Sequence, residues 1–289
     1  MSFLILIIGF ALLIKGADVF VEGASSIAKK FNVPSMIIGL TIVAMGTSAP
    51  EAAVSVTSSL AGQNDMSVAN VVGSNFFNVL VVLGVSSIIA KLPVQEETIK
   101  KDTPFLILVS ILLLVFGINL KLGRIEGLAL LGLFTYFLVN TIKSAKKATE
   151  DDSLETGETA IAIETQTSSE ISLPKTILVS LVGIAGIVLG GDMVVNSATS
   201  IATSLGMSAN LVGLTIVAVG TSLPEFVTSI VAIKKGETEI AIGNVIGSNL
   251  FNILLVLGLA AVINPISMSM LAFIDIIFMV LITLLLYMF

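Results

Sequence analysis

The chain has 289 residues, of which 55% are hydrophobic and 12% charged, and its mean hydropathy is +1.08. Soluble domains carry about 25% charged residues, so this composition excludes an ordinary water-soluble fold and predicts an all-α polytopic membrane protein. The lack of cysteine and histidine excludes disulfides, imidazole metal sites and histidine-based catalytic triads. The net charge of −6 comes mainly from one acidic stretch between Lys143 and Lys175, and no nucleic-acid partner is predicted.

Apolar segments long enough to cross a bilayer predict about nine transmembrane helices, since a span needs roughly 20 residues. We interpret the first as a retained helix, because no basic segment precedes it as in a signal peptide. In chain order the predicted spans are 2–28, 34–60, 67–90, 103–120, 125–142, 174–203, 209–233, 239–262 and 268–288.

The distribution of Lys and Arg over the loops predicts the orientation, because positively charged loops are retained in the cytoplasm. With the N-terminus outside, the outer loops contain only Lys121 and Arg124. The inner loops then contain Lys29, Lys30, Lys91, Lys100, Lys101, Lys143, Lys146, Lys147, Lys175, Lys234 and Lys235. The sequence therefore predicts a multi-pass protein of the cell membrane with a cytoplasmic central loop.

Two motifs recur at an offset of 174 residues and define the domain organisation. GLTIVAMGTSAPE (39–51) returns as GLTIVAVGTSLPE (213–225), and NVVGSNFFNVLVVLG (70–84) returns as NVIGSNLFNILLVLG (244–258). We predict a first repeat at 1–142 with five helices, a disordered acidic linker at 143–173 and a second repeat at 174–289 with four. The odd number of helices in the first repeat inverts the second, whose expected fifth helix, the tenth of the chain, is missing.

A proline and a glycine in each first motif predict a helix that breaks within the membrane. Pro50 lacks an amide hydrogen and its ring collides with the carbonyl of Gly46, and Pro224 and Gly220 repeat this pair. We therefore expect exposed backbone carbonyls from Ala44 to Thr47 and from Ala218 to Thr221. Such carbonyls are tolerated at that depth only inside protein or beside water, and they suit hard cations.

An acid follows each proline, at Glu51 and Glu225. An acid in the bilayer costs several kcal/mol unless a cation, a partner or a proton neutralises it. Hydroxyl side chains stand three and four residues before each acid and share its helical face. They are Ser48 and Thr47 in the first repeat and Ser222 and Thr221 in the second.

The second motif adds a stripe of neutral oxygen donors at four-residue spacing, which places them on one helical face. The stripe is Asn70, Ser74 and Asn78 in the first repeat and Asn244, Ser248 and Asn252 in the second. Taken singly, small polar residues serve more often as contacts between helices. Together with two acids, they form an all-oxygen ligand set that favours hard cations over transition metals.

A third duplicated pair is Asp18 and Asp192, on the first and sixth predicted helices. Lys15 precedes Asp18 by three residues and can pair with it. These aspartates are candidates for ion access or gating, and the alternative is an interfacial packing role.

At these motifs the sequence resembles the cation/calcium exchanger superfamily, in its microbial sodium/calcium exchanger-like branch. The resemblance covers nearly the whole chain. It implies a cofactor-free antiporter, not an enzyme, that exchanges Na⁺ for Ca²⁺ by alternating access across the lipid bilayer. It implies that Glu51 and Glu225 are the central ligands of both ions. The other implied ligands are Thr47, Ser48, Ser74, Asn78, Thr221, Ser222, Ser248 and Asn252, with the carbonyls of Ala44 and Ala218.

Asn252 departs from part of that family, since potassium-dependent relatives have Asp there. Its neutral amide argues against potassium co-transport. Three alternatives remain: an antiporter of the same fold that uses protons, a cation channel, and an intramembrane hydrolase. The channel is disfavoured because a fused pseudo-dimer offers no ring-shaped filter, and the hydrolase because the chain has no histidine.

Overall fold

The computed structural model describes residues 1–62, 64–156, 173–207, 216 and 218–288. The chain is almost entirely helical there, because its long apolar segments satisfy their backbone groups internally. The helices are α1 (Ser2–Lys30), α2 (Ser35–Thr47), α3 (Ala49–Leu60), α4 (Met66–Ile89, preceded by Asn64 and Asp65), α5 (Thr98–Asn119), α6 (Arg124–Thr156), α7 (Leu173–Ser204), α8 (Ala218–Thr221), α9 (Leu223–Lys234), α10 (Thr238–Ile263) and α11 (Met270–Met288). Segments of π-helix interrupt α2 at 39–43, α4 at 77–83 and α10 at 252–257.

Seven of these helices are single spans by length and hydropathy, and α2 with α3 forms a broken one. The predicted span 209–233 lies partly outside the described residues, which contain its later portions α8 and α9. The structure is therefore that of a helical membrane protein, as predicted. It has more helices than spans, because some spans consist of two shorter helices.

The fifth predicted span differs from expectation at its end. It was predicted to stop at residue 142, but α6 continues to Thr156. Eight of the 14 added residues are Lys, Ala, Glu or Leu, which favour helix, although the segment has no apolar periodicity. The remainder of the predicted linker, residues 157–172, lies outside the described residues.

Helices α1 and α7 form an antiparallel pair along their whole length. Gly9, Gly16 and Phe20 of α1 contact Met193, Ile187 and Gly183 of α7, respectively. Residue numbers therefore increase along α1 as they decrease along α7, which defines an antiparallel pair. Side chains added at these glycines would meet backbone atoms of the partner helix, so the close approach requires glycine. Because α1 and α7 occupy equivalent positions in the two repeats, their antiparallel arrangement is that of inverted repeats.

The main hydrophobic core surrounds α10 and includes side chains of α2, α4, α5, α6 and α11. Every residue from Ile240 to Phe251 is buried, including the polar Asn244, Ser248 and Asn249, so other helices enclose this part of α10 on all sides. Phe134 of α6 packs edge-on against Phe251, with ring centroids 4.8 Å apart. The second motif of the second repeat therefore lies at the centre of the bundle.

A short antiparallel strand pair closes one end of the bundle. Strand β1 (Lys121–Leu122) pairs with β2 (Ile266–Ser267). At another point of the structure, Lys29 of α1 forms an ion pair with Glu237 in the turn between α9 and α10, and Lys235 of that turn forms one with Asp18 of α1. These contacts join loops that the charge distribution assigns to the same side of the membrane.

Candidate cation-binding site

The two motif helices break at equivalent serines. Ser48 has φ −83° and ψ 8°, and Ser222 has φ −91° and ψ 4°, so neither is helical. The axes of α2 and α3 differ by 48° across Ser48. Pro50 and Pro224 stand in the first turn of the following helices, where a missing amide hydrogen is harmless. The glutamates thereby lie in the first turn of α3 and α9.

One backbone expectation is wrong in detail. The carbonyl of Ala44 was expected to be exposed, but it accepts hydrogen bonds from the Ser48 amide at 3.0 Å and from Thr47 Oγ1 at 3.3 Å. Proline removes the donor to Gly46, four residues earlier, and it leaves the bond to Ala44 in place. The equivalent Ala218 begins α8.

Each glutamate accepts a hydrogen bond from the serine of the other repeat. Ser48 Oγ donates to Glu225 Oε1 at 2.8 Å, and Ser222 Oγ donates to Glu51 Oε1 at 3.2 Å. Both glutamates are fully buried, with 0% exposure. The two broken helices therefore meet tip to tip, and the same contact occurs twice about a pseudo-twofold axis.

The same carboxylate oxygens also accept from the second motif of their own repeat. Ser74 Oγ lies 3.3 Å from Glu51 Oε1, and Ser248 Oγ lies 3.4 Å from Glu225 Oε1. The other oxygen of each carboxylate, Oε2, is buried and has no hydrogen-bond partner among the described residues. Buried polar atoms are rarely unpaired, so two equivalent orphan oxygens mark a place for a bound ion or water.

The threonines hydrogen-bond to asparagines across the repeats. Thr47 Oγ1 donates to Asn244 Oδ1 at 2.9 Å, and Thr221 Oγ1 to Asn70 Oδ1 at 3.5 Å. Asn70 and Asn244 in turn donate to the backbone carbonyls of Glu51 and Glu225, at 3.2 and 3.3 Å. These contacts fix the position of each glutamate relative to both repeats.

Asn78 and Asn252 stand at the start of the π-helical segments of α4 and α10, one turn beyond Ser74 and Ser248. Both are buried, and within the part of the chain that the structure describes the Oδ1 atom of each has no hydrogen-bond partner. Short π-helical insertions occur frequently at functional sites. Phe77 packs against Phe226, the residue after Glu225, with ring centroids 6.3 Å apart, so this part of α4 adjoins the glutamate of the other repeat.

Four buried residues of this cluster were not singled out from the sequence. Ser55 and Ser229 accept from Asn70 and Asn244, both at 3.0 Å. Asn75 and Asn249 bond to the asparagines of the opposite repeat. Their duplication at the 174-residue offset was a usable signal. The four-residue stripe criterion excluded Asn75 and Asn249, because each follows a stripe serine directly and lies about 100° around the helix.

The duplicated aspartates lie outside this cluster. Asp18 forms ion pairs with Lys235 at 2.9 Å and Lys15 at 3.8 Å, and Asp192 is exposed on α7. The hydrogen bond to the Asp18 carboxylate raises the pKa of Lys235 above its ordinary value, as expected for a stable ion pair. Asp18 thus connects α1 to the turn between α9 and α10.

The donor set of the cluster is oxygen from carboxylates, hydroxyl groups and amides. Over the described residues, no group of three or more Asp, Glu, His or Cys side chains could hold a metal ion. A site with two carboxylates and neutral oxygens suits a hard cation that must also leave again.

Comparisons with known proteins agree with this chemistry. A family model described as sodium/calcium exchanger protein matches residues 1–143 and 175–289. The chain is 44% identical over 263 residues to a putative antiporter, CaxA, of Alkalimonas amylolytica, covering 90% of this chain and 80% of the relative. It is 33% identical over 296 residues to the sodium/calcium exchanger MaX1 of Methanosarcina acetivorans, covering 93% and 85%.

A solved structure has the same fold. It is that of the sodium-calcium exchanger NCX_Mj soaked with 10 mM Na⁺ and 10 mM Sr²⁺. The TM-score is 0.85 at 32% identity, and the match covers 100% of this chain and 90% of the other.

Proposed function

Since this chain belongs to the sodium/calcium exchanger protein family, we propose that it exchanges Na⁺ for Ca²⁺ by alternating access, with both ions bound between Glu51 and Glu225. Membership of an exchanger family confirms the resemblance recognised in the sequence. What we propose beyond family membership is that Na⁺ is the coupling ion and that the residues named above are the ion ligands.

One observation carries the proposal. Glu51 and Glu225 are fully buried at the meeting point of the two broken helices, and each retains a buried oxygen to which no described residue donates a hydrogen bond. A carboxylate so placed is unfavourable unless a cation occupies the remaining oxygen. The neighbouring hydroxyl and amide oxygens are the ligand types that Na⁺ and Ca²⁺ prefer.

The charge of the pair explains the coupling of the two ion fluxes. The carboxylates repel each other, and their charge of −2 is neutralised by one Ca²⁺ or by sodium ions. Two unneutralised carboxylates inside the membrane are energetically unfavourable. The protein therefore switches between its inward-open and outward-open states readily only when ions occupy the site. Return without an ion is thereby suppressed, and sodium moving down its gradient drives calcium out.

Helices α1 and α7 are the mobile elements in this proposal. They form one antiparallel pair whose glycine contacts are backbone to backbone, and they cross the bundle beside Gly46 and Pro224. Sliding of this pair would open the site to one side at a time. Asp18 and Asp192 lie on these two helices, which supports a gating role for them.

The N-terminus outside and the central loop in the cytoplasm form part of the proposal. The excess of Lys in the assigned inner loops supports this orientation. The ion pairs between the Lys29 region and the α9–α10 turn keep two of these loops at one end. The proposed domains remain the repeats 1–142 and 174–289 with the acidic linker between them.

Proton coupling is the second candidate, and one observation favours it. Both site carboxylates are buried, and a carboxylate can be neutralised by a proton as well as by Na⁺. An antiporter of Ca²⁺ against H⁺ would keep the fold and the same two glutamates.

Calcium uptake into proteoliposomes distinguishes sodium coupling from proton coupling when a gradient of only one ion is imposed at a time. The purified chain should accumulate radioactive calcium when a sodium gradient is imposed, and a potassium gradient should have no effect because Asn252 is neutral. Uptake driven by a pH gradient in the complete absence of sodium would replace the proposal by its proton-coupled alternative. Flux without any counter-ion would indicate a channel.

A further inference from the structure

Asn75 and Asn249 form a buried pair at equivalent positions of α4 and α10, directly after Ser74 and Ser248. Their exposures are 2% and 1%. Asn75 Nδ2 donates to the backbone carbonyl of Asn249 at 3.3 Å and contacts Met279 Sδ at 3.6 Å. These contacts orient the amide of Asn75, so that its Oδ1 remains available as an acceptor.

Each of these asparagines accepts a hydrogen bond from a candidate ligand of the opposite repeat. Asn78 Nδ2 donates to Asn249 Oδ1 at 3.0 Å, and Asn252 Nδ2 donates to Asn75 Oδ1 at 3.1 Å. The four side chains thus form two equivalent inter-repeat amide pairs in the centre of the bundle.

The amide pairs determine which end of Asn78 and Asn252 remains free. An asparagine side chain has one oxygen acceptor and one NH₂ donor group. When the NH₂ group is held by a hydrogen bond, the oxygen atom is left over. The Oδ1 atoms of Asn78 and Asn252 are indeed buried and have no partner in the described ranges of the chain. Leaving an acceptor unpaired in the interior is unfavourable, so such an arrangement is retained where a ligand compensates.

We infer that Asn75 and Asn249 are positioning residues, which hold Asn252 and Asn78 with their amide oxygens available to the transported cation. The inference rests on the proposed function, because it takes the glutamate cluster as the ion site. Without its acceptor, the amide of Asn78 can rotate by half a turn and present NH₂ hydrogens, which repel a cation. Asn249 therefore acts on binding through Asn78, and Asn75 acts through Asn252.

A double-mutant cycle on the full chain in proteoliposomes tests this assignment. Asn249→Ala should raise the calcium concentration for half-maximal sodium-driven uptake about 3- to 10-fold, the effect of losing one orienting hydrogen bond. Asn78→Ala should raise it by at least as much. The double variant should match Asn78→Ala alone, because Asn249 then has no amide to orient.

The control variant is Asn264→Ala, which removes another asparagine hydrogen bond, from Nδ2 to the Ser59 carbonyl, away from the glutamates. Its half-saturating concentration should equal that of the unmodified chain. If Asn249→Ala does not fold, Asn75→Ala with Asn252→Ala repeats the cycle in the other half.

The outcomes separate the inference from the proposed function. Effects of Asn249→Ala and Asn78→Ala that simply multiply in the double variant would overturn the positioning role, as would an unchanged half-saturating concentration in Asn249→Ala. Absence of sodium-driven uptake in the unmodified chain would instead overturn the proposed function.

Discussion

At the residue scale, the site depends on hydroxyl groups that connect the repeats. Ser48 and Ser222 each donate to the Oε1 atom of the other repeat's glutamate, and Oε2 receives no hydrogen bond from any described residue. A hydrogen bond to a charged group contributes about 1.5–3 kcal/mol. The serines therefore set the rotation of the carboxylates and connect the broken helices at the same time.

Removal of one such hydroxyl should weaken ion binding. In Ser48→Ala, Glu225 loses its 2.8 Å donor and can rotate away from the shared position. We expect the calcium concentration for half-maximal uptake to rise about tenfold, which corresponds to about 1.4 kcal/mol. The measurement is sodium-driven calcium uptake over a range of calcium concentrations.

The matched control for this change is Ser110→Ala. Ser110 is also a buried serine, but it donates to the Leu106 carbonyl of its own helix in α5. It should leave the half-saturating concentration unchanged. Equal effects of the two substitutions would mean that Ser48 acts only on stability.

Most residues of the cluster could be identified from the sequence. Which of them form hydrogen bonds with each other could not be predicted. Prediction of Glu51, Ser48 and Ser74 followed from repeats and helical spacing, which are local properties. The contact of Ser48 with Glu225 spans 177 residues, and only the packing of the inverted repeats creates it. The roles of Asn75 and Asn249 depend on contacts of the same long-range kind.

At the element scale, the glycine contacts of α1 and α7 determine how closely these helices pack. A Cβ atom at Gly190 would lie 2.5 Å from the Leu13 amide nitrogen, and one at Gly16 would lie 2.7 Å from the Ile187 nitrogen. Backbone atoms cannot rotate aside as a flexible side chain can. The pair is therefore a close backbone contact that tolerates glycine alone.

Gly190→Ala should force the two helices apart. Overpacking of this kind typically costs 1–3 kcal/mol, so the midpoint of thermal unfolding in detergent, followed by circular dichroism, should fall by several degrees. Gly132→Ala is the control, because no atom of another described element would lie within 4 Å of its Cβ. That variant should be neutral or slightly stabilised, since alanine favours helix by about 1 kcal/mol. An unchanged midpoint in Gly190→Ala would contradict the close-contact interpretation.

Helix positions followed well from hydropathy, whereas helix interruptions and ends did not. The prolines indicated a break in the first motif, and the structure has it at Ser48, next to the predicted 44–47 segment. The extension of α6 to Thr156 was missed because its sequence has no apolar pattern. The π-helical segments carry no proline or charge signal, because they depend on packing against neighbouring helices.

At the scale of the whole molecule, two inverted halves create a site that neither half contains alone. Each half provides one glutamate, and each glutamate depends on a serine of the other half. The fold and the family followed from the duplicated motifs because both copies are long and nearly identical. The coupling ion did not follow, because Na⁺ and H⁺ can neutralise the same carboxylate.

The central claim is that the two carboxylates bind the transported cation together, and loss of either one tests it most directly. We expect Glu51→Gln and Glu225→Gln each to abolish sodium-driven uptake of radioactive calcium into proteoliposomes, and Asp18→Asn only to slow it. Glu96→Gln, which changes an exposed glutamate paired with Lys100, should leave uptake unchanged. Sodium-driven calcium flux that persists in both site variants at the level of Glu96→Gln would contradict the account.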